Sequence, residues 1–186
     1  EREANGCRDP FRVRFWGVGN ESWGCGGDFT PQEYATEFRR FTSWVPQFDV
    51  CPSFIAAGPG SGDESWTRGF FENLTRRDKG YVNRVYGWGL HYYCGTAGRG
   101  ALDFGPEDWY ELLHKAAAIE TLIDNHWAVM GEFDANHHVK LAIDEWGTWH
   151  AAGTEVHRTH LFGQTSTLRD ALVAALTLDI FNRHAD

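Results

Sequence analysis

The order of apolar and polar positions along the chain predicts four β-strands that alternate with helices. Short apolar runs, which are typical of buried strands, cover residues 12–18, 50–57, 85–92 and 139–143. Apolar residues at helical spacing follow them, over residues 31–45, 65–74, 105–130 and 168–181. Strands that each precede a helix are typical of βα units, so the pattern predicts an α/β protein with a parallel sheet.

One helix start is marked by its local chemistry. Thr30 is a favourable N-cap, Pro31 fits the first turn, and Glu33 stands three residues after the cap. This combination predicts a capping box, in which each of Thr30 and Glu33 binds the other's backbone N–H. The long apolar stripe that begins after Gly105-Pro106 predicts a single helix as far as Met130.

The spacing of the strands favours a barrel. The segment from Glu21 to Glu145 contains three βα units, and each has a length within the roughly 25–50 residues that a (β/α)₈ barrel allots to a unit. A doubly wound sheet also fits the alternation. No Gly-x-Gly-x-x-Gly follows the first strand, however, which weakens a nucleotide-binding interpretation.

Two pairs of residues carry the candidate chemistry. Asn20-Glu21 and Asp144-Glu145 each stand where a short apolar run breaks into a loop rich in Gly and Trp. In a barrel, catalytic groups lie on the loops that follow the strands, so two such acids are expected to converge on one pocket. Two carboxyl groups that flank the scissile bond are the working arrangement of glycoside hydrolysis.

Three segments resemble the family-51 glycoside hydrolases, the α-L-arabinofuranosidases. Residues 15–27 (FWGVGNESWGCGG) resemble the acid/base segment of that family, and residues 142–149 (AIDEWGTW) resemble its nucleophile segment. Residues 90–93 (LHYY) resemble the His-x-Tyr segment that lies between them. The resemblance implies barrel strands four to seven, with the nucleophile at the end of strand seven.

The resemblance also implies roles for six residues. Glu145 would attack the anomeric carbon, and Glu21 would protonate the leaving oxygen and then deprotonate water. Asn20 would bind the sugar 2-hydroxyl, Tyr93 would aim its hydroxyl at Glu145, His91 would lie near both carboxyls, and Trp149 would form a wall of the sugar subsite. The alternatives are solvated or ion-paired glutamates, a hydrogen-bonded strand end at His91 and Tyr93, and plain packing for Trp149.

By the same resemblance, residues 1–186 are one partial catalytic domain. Strands one to three, strand eight and the β-rich C-terminal domain of the family would be absent, together with their sugar-binding residues. Open sheet edges expose unpaired backbone groups and apolar faces. We therefore expect the isolated segment to be poorly stable and inactive.

Composition limits the partners. The 186 residues carry a formal charge of −9 and include nine Trp. An acidic chain without a basic cluster argues against nucleic acid or an anionic membrane as partner, whereas surplus Trp suits the apolar faces of sugars. No apolar run is long enough for a transmembrane helix. The expected partner is an oligo- or polysaccharide that carries arabinofuranosyl groups.

No cofactor or metal is predicted. The four cysteines contain no Cys-x-x-Cys pair and are expected as free thiols, with one disulfide as the alternative. His150, His157 and His160 lack the spacing of zinc ligands.

Several alternatives stay open. Asp63-Glu64 follows the second strand and is the main rival carboxylate, although such a pair is more often a helix cap. The rival functions are another retaining barrel glycosidase (a β-xylosidase or endoglucanase), a carbohydrate-binding protein without catalysis, and a truncated product without function. We favour a cytoplasmic location, with secretion as the alternative. The sequence is also compatible with a homo-oligomeric complete protein.

Overall fold

The computed structural model describes residues 1–46, 49–95, 100–151 and 164–185, and it confirms the α/β class. A four-stranded sheet has the order β1-β2-β3-β4, and β2 pairs in parallel with both β1 and β3. The elements are β1 (Phe15–Val18), α1 (Pro31–Trp44), β2 (Ser53–Ala56), α2 (Glu64–Thr75), a 3₁₀ helix (Lys79–Arg84), β3 (Val85–Tyr93), α3 (Pro106–Ala117), α4 (Ile119–Gly131), β4 (Lys140–Gly147) and α5 (Leu168–Arg183).

Strands β1 and β2 begin three residues later than predicted, and the 3₁₀ helix was not predicted. One helix and one strand differ further from the sequence prediction. The prediction of a single helix as far as Met130 is wrong, because two helices, α3 and α4, are separated at Ala118. There the N–H of Ala118 bonds to the carbonyl of Lys115, which tightens the last turn of α3, while the apolar stripe continues across the break. Strand β4 extends beyond the predicted end at residue 143, so Asp144 and Glu145 lie within the strand rather than after it.

The chain divides into two compact units. One comprises Glu1–Pro59, Ser65–Gly89 and Met130–Ala142, and the other comprises Gly60–Glu64, Leu90–Val129 and Ile143–Asp186. No helix in the described ranges combines the length and the apolarity that a membrane span needs.

Aromatic side chains fill the core of the first unit. Phe38 of α1, Phe70 of α2 and Trp88 of β3 are fully buried, and Phe70 packs on both of the other rings with centroids 5.7 and 4.5 Å away. Such pairs contribute about 0.5–1.5 kcal/mol each beyond their area burial. The capping box at the start of α1 is present as predicted: the N–H of Thr30 donates to Glu33 Oε2 at 2.8 Å, and the N–H of Glu33 donates to Thr30 Oγ1 at 3.3 Å.

One face of the first unit stays open. In β1, Phe15 and Trp16 keep 50% and 52% of their surface exposed, and a groove of about 1270 Å³ lies beside this strand. Large apolar side chains on an outer strand are typical of a surface that another part of a protein covers.

The second unit has a smaller core between two helices and a strand. Leu112 and Ala116 of α3 and Val173 of α5 pack with Cys94, which follows β3. Tyr92 of β3 joins this cluster and donates its hydroxyl to the carbonyl of Lys115 at 2.5 Å. Residue 92 thus faces the helices, as the alternation of a strand requires when residues 91 and 93 face the other way.

Candidate active site

Glu21 stands in a tight loop directly after β1. Its backbone adopts φ = +44°, which is uncommon for a residue with a side chain and has a cost of order 1–3 kcal/mol. The carbonyl of Glu21 accepts hydrogen bonds from the N–H groups of Gly24 and Gly26, at 2.8 and 3.0 Å. At Gly26 a Cβ atom would lie 1.7 Å from the carbonyl oxygen of Asn20, so only glycine fits this turn.

Two contacts anchor the loop and its carboxylate. The hydroxyl of Tyr34, a buried residue of α1, donates to the carbonyl of Val18 and accepts from the N–H of Ala57 at 2.6 Å, which ties the ends of β1 and β2 together. The thiol of Cys25 donates to Glu21 Oε2 at 3.2 Å. Asn20 is exposed beside Glu21, whereas Ser22 is buried. The turn thus presents Asn20 and Glu21 together at the end of β1.

Glu145 is held by two side chains of β3. Tyr93 donates its hydroxyl to Glu145 Oε1 at 2.8 Å, and His91 Nδ1 lies 3.4 Å from Oε2. The Glu145 side chain keeps 37% of its surface exposed, while the His91 side chain keeps only 10%. Each carboxylate oxygen therefore has its own partner, which orients the group.

A second carboxylate meets the same imidazole. Asp144 Oδ1 lies 3.4 Å from His91 Nε2. Burial raises the pKa of Asp144, and the attraction of His91 and backbone hydrogen bonds from Leu90 and Asp144 itself offset only part of this rise. No separate role is predicted from the sequence for Asp144, which is named there only as the neighbour of Glu145. The contact with His91 is not expected from alternation, since neighbouring residues of a strand ordinarily face opposite sides.

Trp149 packs edge-to-face on Tyr93, with ring centroids 5.3 Å apart and an interplanar angle of 69°. The residues on either side of it are both fixed to Asp170 at the start of α5. Thr148 Oγ1 donates to Asp170 Oδ1 at 2.9 Å, and His150 Nε2 lies 2.7 Å from the same oxygen. The indole is thus held at both flanks, with 42% of its surface exposed.

Asp170 itself is a charged anchor. Its carboxylate also accepts hydrogen bonds from the N–H and hydroxyl of Thr167, at 2.7 and 2.9 Å, and so it caps α5. Burial works against the ionised carboxylate, but hydrogen bonds from Thr167, His150 and Thr148 outweigh it and lower the pKa of Asp170. This anchor was not predicted from the sequence, because Thr148 and His150 lie 22 and 20 residues from Asp170. Only the contact with Thr167, three residues away, is local.

The other candidates are placed as follows. Glu64 begins α2 and accepts a hydrogen bond from Asn125 Nδ2 at 2.8 Å, an arrangement typical of a structural carboxylate. His150 is buried against Asp170, and His157 and His160 lie outside the described residues. All four cysteines are free thiols, with Cys94 buried and the other three exposed.

An α/β sheet with glutamates at the carboxyl ends of its strands is typical of barrel glycosidases. A family model described as the α-L-arabinofuranosidase C-terminal domain matches residues 144–186, which include Glu145 and α5. The chain is 35% identical to an intracellular exo-α-L-arabinofuranosidase of Bacteroides ovatus over 190 residues. It is 25% identical, over 202 residues, to an intracellular exo-α-(1→5)-L-arabinofuranosidase of Streptomyces lividans. Both alignments cover the whole of this chain. They cover 35% of the Bacteroides protein and 28% of the Streptomyces protein, so the chain spans about a third of the length of these relatives.

Solved structures agree with these relatives. The family-51 arabinofuranosidase of Xanthomonas axonopodis pv. citri matches the whole chain with a TM-score of 0.82 and 34% identity, and 37% of that structure is covered. A family-51 α-L-arabinofuranosidase of Bifidobacterium longum shares the fold, with a TM-score of 0.72 at 19% identity over 38% of its length. The chain is therefore similar to one part of the family-51 arabinofuranosidases, and the resemblance stated above is confirmed.

Proposed function

We propose that this chain carries the catalytic acid and nucleophile of a retaining exo-α-L-arabinofuranosidase. The protein would release terminal α-L-arabinofuranosyl groups from arabinose-containing hemicellulose or pectin oligosaccharides. The names of the two relatives support the release of α-L-arabinofuranosyl groups by an exo-acting enzyme. We propose further that residues 1–186 contribute strands four to seven of one (β/α)₈ catalytic barrel, which the family-51 structures support.

The proposal rests on the two side-chain contacts that orient the carboxylate of Glu145. A nucleophilic carboxylate must be ionised and aimed at the anomeric carbon. The hydroxyl of Tyr93 donates to one oxygen of Glu145 and the imidazole of His91 lies beside the other. Hydrogen bonds to a charged acceptor are about twice as strong as those between neutral groups, so these contacts hold the Glu145 carboxylate in one orientation.

Glu21 serves as the acid and base. In the first step it gives its proton to the leaving oxygen while Glu145 forms the glycosyl ester. In the second step it removes a proton from water, which cleaves the ester and regenerates both groups. The unusual backbone of Glu21 supports this role, because strained conformations cluster at active sites.

The remaining site residues are proposed to bind the sugar or to orient the nucleophile. Asn20 is proposed to bind the 2-hydroxyl, and Trp149, fixed through Asp170, is proposed to form a wall of the furanose subsite. His91 and Tyr93 orient the nucleophile. The reaction needs no cofactor. The relatives' names also favour an intracellular location for the complete protein.

Substitution of the two glutamates in the complete protein tests the proposal. Glu145→Gln should abolish turnover of nitrophenyl α-L-arabinofuranoside and leave sugar binding in place, since the amide keeps the shape but cannot attack. Glu64→Gln is the matched control and should keep activity. More than about 1% residual activity in the Glu145 variant would mean that another carboxylate attacks.

A second variant separates the acid from the nucleophile. Glu21→Ala should slow substrates with poor leaving groups far more than activated aryl glycosides, and added azide should accelerate turnover because azide needs no general base. Proton NMR of the first product should show the starting anomeric configuration. An equal loss on all substrates without an azide effect, or an inverted product, would contradict the assignment. A panel of nitrophenyl xylosides and glucosides distinguishes the other glycosidases.

A further inference from the structure

The imidazole of His91 lies between the carboxylates of two consecutive residues. Its Nδ1 is 3.4 Å from Glu145 Oε2, and its Nε2 is 3.4 Å from Asp144 Oδ1. His91 is buried in β3, with 8% of its surface exposed. Both ring nitrogens are therefore assigned to acidic partners, and neither is left to bulk water.

This geometry constrains the charge of the imidazole. A neutral histidine has one N–H donor and one lone pair, so it would turn a lone pair towards one of the two carboxylates. The imidazolium form has a donor for each.

We propose that Asp144 is a positioning residue: it keeps His91 protonated and in place, and His91 in turn holds Glu145 in the orientation for attack. This inference deepens the proposed function and rests on it. Asp144 touches neither substrate nor reacting atoms in this assignment, and it acts through the imidazole.

The rest of the surroundings agrees with a fixed bridge. Tyr93 occupies Oε1 of Glu145, which leaves Oε2 as the oxygen that faces His91. Burial raises the pKa of Asp144, and the attraction of His91 opposes that rise, so the carboxylate and the imidazole interact. Loss of either charge should therefore disturb the other two groups.

The experiment uses the complete protein with three substitutions at this position. Asp144→Asn removes the charge and keeps the shape, Asp144→Ala removes the group, and Asp144→Glu restores a carboxylate. Asp179→Asn, on the exposed face of α5, is the matched control. Ring ¹⁵N spectra of histidine-labelled protein at pH 7 report the protonation of His91, and His91→Gln assigns its signals.

The expected result has two parts. In the wild type and the Asp179 variant both ring nitrogens of His91 carry protons, while in Asp144→Asn one of them does not. Asp144→Asn should lower kcat about 100-fold, the cost of misplacing a reacting group by about 1 Å, with KM changed less than about threefold. Asp144→Glu should recover part of kcat.

A neutral His91 in the wild type overturns the inference, and this measurement needs no variant to fold. A folded Asp144→Asn protein with wild-type kcat overturns it as well. If the wild type hydrolyses no arabinofuranoside, or Glu145→Gln keeps its activity, the proposed function fails. The ¹⁵N spectra still decide whether Asp144 sets the charge of His91 in that case.

Discussion

Removal of one hydroxyl group tests how the nucleophile is oriented. Tyr93→Phe deletes the donor that lies 2.8 Å from Glu145 Oε1 and keeps the ring that packs edge-to-face against Trp149. The aromatic wall should therefore persist in the variant. The change isolates a single hydrogen bond to the attacking carboxylate.

The expected magnitude follows from the type of bond. A hydrogen bond to a charged group contributes about 1.5–3 kcal/mol, and each 1.36 kcal/mol changes a rate about tenfold. Loss of the hydroxyl should lower kcat/KM by roughly 10- to 150-fold. The 37% exposure of the Glu145 side chain places the effect in the lower part of this range, since water can replace the lost donor.

Initial rates on nitrophenyl arabinofuranoside measure the effect in the complete protein, with Tyr92→Phe as the matched control. Tyr92 carries the same hydroxyl one residue away, but donates it to the carbonyl of Lys115 on the helix side of β3. That variant should lose about 1 kcal/mol of unfolding free energy and keep its kcat. A Tyr93 variant within threefold of wild type, or equal losses in both variants, would refute the assigned role of the hydroxyl.

Three further predictions concern the loop after β1 and the core of the second unit. Gly26→Ala should lower the rate on nitrophenyl arabinofuranoside as far as Glu21→Ala does, because the added Cβ would lie 1.7 Å from the carbonyl oxygen of Asn20. Gly24→Ala is the control and should be nearly neutral in the same assay, because its Cβ would lie 3.9 Å from the carbonyl oxygen of Glu21. Equal activities of the two glycine variants would show that the turn does not place Glu21. Burial raises the pKa of Cys94 to about 11, so its thiol should resist alkylation at pH 8 until urea unfolds the protein, as peptide mass spectrometry can show. Because folding raises the pKa of Cys94, its protonated thiol contributes stability that is fully present below about pH 9 and is lost as the pH rises towards 11. Urea unfolding at pH 8 and at pH 11 measures this loss.

Much of the fold could be read from local pattern. The strand–helix alternation, the capping box of Thr30 and Glu33, and the candidate acids Glu21 and Glu145 all follow from rules that act over a few residues. Periodicity and capping are local because backbone hydrogen bonds within a helix join near neighbours. These rules failed at Ala118, where an unbroken apolar stripe crosses a change of helix.

The contacts that organise the candidate site depend on tertiary structure. Tyr93 meets Glu145 across 52 positions of sequence, and His150 meets Asp170 across 20. Such pairs depend on how strands and helices are placed beside one another, which no local rule determines. The sequence by itself determined the order of the elements and which acids to test. Only the tertiary structure decided that His91 lies between Asp144 and Glu145, because a contact with both ring nitrogens requires β3 and β4 to be neighbours in one sheet.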